Sequence, residues 1–401
     1  GEVKRRLLDV LVNMQPSLQC AGSEHCQKGR NRIIVAEELT PAMTVDLDTS
    51  GVLGFVTERG GKNSHGAILA RALGVPAVSG ITGIRDIVGC GTELLVDGTN
   101  GGVVVWPTEE RIKNARACRT HAAAGEVARG PVDGFKVMAN INMPDETHEA
   151  LAMQAEGIGL YRTEIEIIAE GRFLSEDELY ERYSSVVKAM GGRTVIFRLY
   201  DMGSDKTMPF MNIPEEENPS LGWRGMRLLL GRRDILETQA RALARASLHG
   251  PVHVLYPMVV DAAQFREGRE TFAKAISGIK AGEMRHGVLF EVPSACLAAD
   301  ELMREADFGS IGTNDLIQYL FAVDRDNERV AYDYHTDRPV FWNLIEVIVR
   351  AAASAGKPLS VCGELAGDPQ QVGRLYDAGI RTVSVSARRI HAVREAGAKK
   401  A

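Results

Sequence analysis

Cysteine is scarce, with six residues in a chain of 401. That number is too small for the disulfide framework of a secreted mini-domain, so reduced thiols are expected. Cys20, His25 and Cys26 form a short cluster, but no further zinc ligands follow at a usable spacing. Basic excess is absent as well. The formal net charge is −6, which leaves no electrostatic footprint for nucleic acid. No apolar run approaches the roughly 20 residues that a membrane-spanning helix needs. The first residues, GEVKRRLLDVLVNM, carry basic side chains but no signal-peptide core or cleavage site, so the cytoplasm is the expected compartment. What remains is 45% hydrophobic and 25% charged residues, an ordinary globular composition with enough chain for two or three domains.

The order of elements predicts an α/β protein in two parts. Residues 1–31 read as one amphipathic helix and a polar linker. Residues 32–107 read as a small α/β domain, with strands at RIIVAEEL and VLGFVTE and a strand–turn–strand at ELLVDGTNGGVVVWP. Residues 108–134 read as a helical connector closed by GPVDG. From 135 to 401 strands alternate with helices, and eight strand candidates follow one another: 136–141, 158–162, 194–201, 252–257, 287–292, 308–313, 358–364 and 382–386. Eight such units over this length favour a (β/α)8 barrel over a doubly wound open sheet.

In such a barrel the chemistry collects at the C-terminal ends of the strands. Arg162, Arg198, Asp201, Glu291, Asn314, Asp315, Cys362 and Glu364 all fall there. Arginine forks suit phosphate and carboxylate groups. Glu291 and Asp315 form a carboxylate pair suited to Mg²⁺, or else to salt bridges with the arginines. Lys206 and Arg325 add positive charge. Cys362 could deliver a proton to carbon, or could simply be a small buried apolar residue. Together these residues would suit a small phosphorylated carboxylic acid.

The small domain holds a second notable stretch, GGKNSHGAILARALGVPAVSG, residues 60–80. Its glycine pair permits a tight turn, Asn63 or Ser64 can cap a helix over AILARAL, and Gly74 with Pro76 ends it. His65 thus stands at a helix N-terminus, a place that favours an anion. A surface histidine near a cap is one reading; a histidine that carries a phosphoryl group is the other. Donor and acceptor on separate units joined by a helical connector would require the small domain to swing.

GGKNSHGAILARALGVPAVSG, EGIGLYRTE, NIPEEENPSLGWRGMR, SIGTNDLIQY, AVDRDN and VCGELAGD are the stretches by which the chain resembles the PEP-utilising enzyme family. Within it, the chain is most similar to the enzyme I branch of the bacterial sugar phosphotransferase system. The resemblance implies a swivelling phosphohistidine domain followed by a PEP-binding TIM barrel. It implies that phosphoenolpyruvate phosphorylates His65, and that Arg162, Arg198 and Arg325 bind the phosphate and carboxylate with help from Asn314 and Lys206. It further implies Mg²⁺ on Glu291 and Asp315, Cys362 protonating the enolate to give pyruvate, an HPr-like phosphocarrier protein as acceptor, and a homodimer formed through the barrel. The chain departs from the family pattern at Asn63, Leu199, Ser204 and Val292 and around YHTDRPVFWNLI. It also retains only one helix, about residues 3–14, of the subdomain that docks HPr, which implies either a fragment or a different acceptor. Two other functions fit the same residues: a pyruvate/PEP dikinase-type fragment lacking its ATP-binding domain, and a PEP-sensing regulatory protein.

Overall fold

The computed structural model describes residues 32–39, 52–60, 67, 70, 75–89, 91–98, 100–115, 130–203, 209–211, 216–325, 327 and 329–401. His65, Lys206, the expected helix at 3–14, the Cys20–His25–Cys26 cluster and residues 116–129 of the connector lie outside the described residues. The chain divides into two compact units between residues 125 and 126.

In the first unit, β1 (Arg32–Ala36), β2 (Val52–Thr57) and β3 (Ala77–Ser79) form a parallel sheet in that order. Ala36, Leu39, Val52, Phe55 and Ala70 bury their side chains in one cluster. β4 (Leu94–Asp97) and β5 (Gly102–Val105) pair antiparallel as the expected hairpin. In that turn the Asp97 carboxylate accepts the Asn100 backbone N–H, and Gly101 takes the positive φ that a glycine allows. β3 was not among the expected strands, because three residues are too few to show an alternation.

The second unit is a closed barrel of eight parallel strands: β6 (Lys136–Ile141), β7 (Ile158–Arg162), β8 (Val195–Arg198), β9 (Val252–Tyr256), β10 (Met284–Phe290), β11 (Phe308–Ile311), β12 (Leu359–Val361) and β13 (Thr382–Ser386). The barrel closes where Val383 of β13 pairs with Val137 of β6. Its strands are apolar on both faces because helices cover the outside and side chains fill the inside. Leu160, Ile196, Leu255, Leu289, Phe308 and Cys362 form one internal cluster. Each large apolar side chain sealed this way contributes about 1.5–3 kcal/mol.

Capping residues begin several outer helices. Ser175 and Glu178 form a capping box at helix Glu176–Ala189, with the Ser175 N–H donating to Glu178 Oε2 at 2.8 Å. Asp261 accepts the Gln264 N–H at 2.8 Å to start helix Ala262–Ala275. Asp368 accepts the Gln370 N–H at 2.9 Å, just ahead of a helix with Pro369 at its first position. Among the described residues, no helix is long and apolar enough to cross a membrane.

Candidate active site at the carboxyl ends of the barrel strands

Arg162 and Arg198 are the last residues of β7 and β8, and Glu291 and Cys362 directly follow β10 and β12. The residues after Ile311 of β11 begin helix Thr313–Phe321, which carries Asn314 and Asp315 in its first turn. Strand register therefore sets these groups around one rim. Arg198, Glu291, Asp315 and Cys362 are all buried there, with Glu291 only 1% exposed.

Two arginines organise the carboxylates. Arg198 pairs with Glu164, and its Nη1 lies 3.1 Å from Asp201. Arg224 grips Asp201 with Nε and Nη2, each at 3.0 Å, and reaches Asp315 through Nη1 at 3.0 Å and Nη2 at 3.1 Å. It also donates to the Tyr319 hydroxyl at 2.9 Å. Arg224 lies in a loop rather than at a strand end, so the strand-end rule gave no reason to select it. The loop reaches the rim because Gly203, at φ +99°, packs against the chain at Trp223 and Arg224; a Cβ there would lie 3.1 Å from the Arg224 Cα.

The two expected metal ligands differ in their surroundings. Burial raises the Asp315 carboxyl, but Arg224 and Arg325 outweigh burial and hold it below the ordinary aspartate range. Asp315 thus takes the salt-bridged alternative with Arg224. Glu291 is the opposite case. Burial, then the charges of Asp315 and Asp201, push its carboxyl up to about 8 against the pull of Arg198 and Arg224. One of its oxygens accepts the Met258 N–H at 2.7 Å, and Met258 holds a positive φ of 54° to present it. Glu291 has no arginine in contact among the described residues and meets the neighbouring carboxylates only through their charge. Among the described residues, no group of three or more His, Cys, Asp or Glu could hold a metal ion. A cation here would use the two carboxylates and take its other oxygens from water and ligand, a pattern that Mg²⁺ tolerates.

Cys362 lies in the apolar floor of this rim. Burial raises its thiol pKa, against a hydrogen bond with Ser310, so the S–H form persists at neutral pH. Its Sγ is 3.6 Å from the Ile311 carbonyl, and its own carbonyl accepts from Asn140 Nδ2 at 3.1 Å. Asn314 Oδ1 accepts the Glu364 N–H at 2.9 Å, which leaves its NH₂ as the group to offer a ligand. Arg162 reaches Asn142 Oδ1 at 3.5 Å, and Arg325 is half-buried, close enough to Asp315 to lower its pKa. Glu364 is exposed and stands apart from the buried groups. The expected residues within the described part of the barrel, Glu364 aside, thus gather at one rim, while His65 and Lys206 lie outside the described residues.

Comparison with known families and proteins follows these two units. Residues 121–401 match the PEP-binding domain of PEP-utilising enzymes, and residues 29–101 match their mobile domain. The chain is 37% identical over 371 residues to the phosphoenolpyruvate-protein phosphotransferase of Listeria monocytogenes, covering 88% of this chain and 65% of that protein. It is 40% identical to the protein of the same name from Geobacillus stearothermophilus, covering 88% of this chain and 64% of that protein. With the Bacillus subtilis protein of that name the identity is 39%, over 88% of this chain and 65% of the relative. The chain therefore spans just under two thirds of the length of these relatives.

Proposed function

Because the chain belongs to the PEP-utilising enzyme family, we infer that it moves the phosphoryl group of phosphoenolpyruvate onto His65, releases pyruvate, and passes the phosphoryl group to a phosphocarrier protein of HPr type. The observation that carries this reading is the pairing, on one rim, of a buried arginine–carboxylate network with a neutral thiol. An anion site alone would not need a proton donor in its floor.

In this reading Arg162, Arg198 and Arg325 bind the phosphate and carboxylate, assisted by Asn314 and Lys206. Glu291 and Asp315 would hold Mg²⁺, which when bound neutralises charge on the phosphoryl oxygens. The raised Glu291 carboxyl and the paired Asp315 carboxylate fit that role. A neutral nitrogen of His65 attacks phosphorus in line; a P–N bond forms as the bond from phosphorus to the enol oxygen breaks. The departing electron pair becomes the enolate, and its methylene carbon takes the Cys362 proton, giving pyruvate. The thiolate left behind regains a proton from solvent before the next turnover. Such a transfer relies on positioning and charge neutralisation. The same reading places the chain in the cytoplasm, paired with a second copy through the barrel. Rapid mixing of the chain with phosphoenolpyruvate and Mg²⁺ tests it. One pyruvate released per chain is expected, and no pyruvate from a chain that binds phosphoenolpyruvate would overturn it.

A further inference from the structure

Tyr334 lies between helix Thr313–Phe321 and helix Pro339–Ala355 and opens YHTDRPVFWNLI, a stretch in which the chain departs from the family pattern. Its hydroxyl donates to the Asn314 backbone carbonyl at 2.9 Å. Arg325 lies close enough to the same hydroxyl for its positive charge to oppose the rise in the hydroxyl's pKa. One phenol thus holds the backbone of one residue that the proposed function assigns to phosphoenolpyruvate and lies beside another. They come from different places: Asn314 from the first turn of a helix, Arg325 from the loop beyond that helix, three residues after Ala322 turns the chain with a φ of 51°.

The segment that carries Tyr334 is anchored on both sides of it. Arg338 pairs with Asp333 and stacks 4.8 Å from the Phe321 ring centroid. Trp342 Nε1 donates to the Thr336 carbonyl at 2.7 Å. The ring itself is half-buried, and burial pushes its hydroxyl up to about 12, so it remains a proton-bearing donor across the working pH range. Holding a binding group in place ahead of its ligand lowers the entropy lost on binding.

We propose that Tyr334 is a positioning residue that holds Asn314 at the start of its helix, beside Arg325, and so sets the affinity of the barrel for phosphoenolpyruvate, an inference that rests on the function proposed above. Tyr334→Phe removes the oxygen and keeps the ring. In single-turnover phosphorylation followed against phosphoenolpyruvate concentration, the half-saturating concentration is expected to rise about tenfold. The plateau rate should stay within about twofold, since the reacting atoms are untouched. A loss of packing alone would lower thermal stability without this split. Unchanged half-saturation in Tyr334→Phe, with the wild type active, overturns the inference and leaves the proposed function standing. A wild type that neither binds nor turns over phosphoenolpyruvate overturns the proposed function. In that event amide hydrogen exchange in the ligand-free protein still decides the tether: faster exchange at residues 329–338 in Tyr334→Phe supports it, and identical exchange overturns it.

Discussion

At the scale of single residues, the thiol and the central arginine make different demands on the protein. Cys362→Ala removes the thiol that the proposed function uses as a proton donor from a floor that is otherwise apolar. Pyruvate formation is expected to slow by about 10²–10⁴-fold. Phosphoenolpyruvate affinity, measured by calorimetry, should change by less than about threefold. Equal losses in both would show that Cys362 acts through packing. Arg224→Met has another signature. It leaves Asp201 and Asp315 buried without their shared partner, and breaking a buried pair in this way costs about 3–5 kcal/mol. Urea unfolding should report that loss in the ligand-free protein. A stability within about 1 kcal/mol of wild type would mean that solvent reaches these carboxylates.

At the scale of elements, the end of β12 is held to a narrow tolerance. A Cβ on Gly363 would run into Thr313 Oγ1 and lie 2.7 Å from the Thr313 nitrogen, so Gly363→Ala must shift either β12 or the start of helix Thr313–Phe321. One carries Cys362, the other Asn314 and Asp315. Turnover is expected to fall by about tenfold or more, as misplacements near 1 Å do elsewhere. Wild-type turnover would show that both elements can move apart freely.

The same elements show what a sequence reveals. The eight barrel strands were legible because each is a short apolar run between helical stretches, and each begins within three residues of its expected start. Their ends were less legible. The run TVIFRLYD predicts a strand to 201, yet β8 ends at Arg198. The Leu199 N–H still reaches the Leu255 carbonyl of β9 at 2.9 Å, and the chain leaves the ladder when the Tyr200 N–H turns to Gln239 Oε1. Strand-end logic therefore found Arg198, Glu291 and Cys362, whose positions follow from β geometry. It passed over Arg224 and Tyr334, because they reach the rim through loop conformation and long side chains, which carry no periodic signal.

At the scale of the whole molecule, the barrel half-buries two histidines away from the site. His286 hydrogen-bonds the Tyr256 hydroxyl at 2.9 Å, and His253 packs 5.2 Å from the Phe308 ring centroid. Burial lowers both imidazoles to about 4. The unfolded chain holds its histidines near 6.5, so between pH 6.5 and pH 4 it binds more protons than the folded barrel. These two groups leave stability undiminished above pH 6.5 and reduce it steadily as the pH falls toward 4. The melting temperature of the barrel should drop across that window, and a double His253→Gln, His286→Gln variant should show a shallower slope. A melting temperature flat from pH 6.5 to 4, or a variant slope equal to wild type, would contradict the assignment.

The proposed function turns on one chemical event, the arrival of phosphorus on His65. The most direct measurement is incubation of the wild type and His65→Ala with ³²P-labelled phosphoenolpyruvate and Mg²⁺, followed by acid and alkali treatment of the labelled chain. Acid-labile, alkali-stable label on the wild type alone is the expected result. Label that persists in His65→Ala, or a wild type that binds phosphoenolpyruvate yet takes no label, would contradict the account.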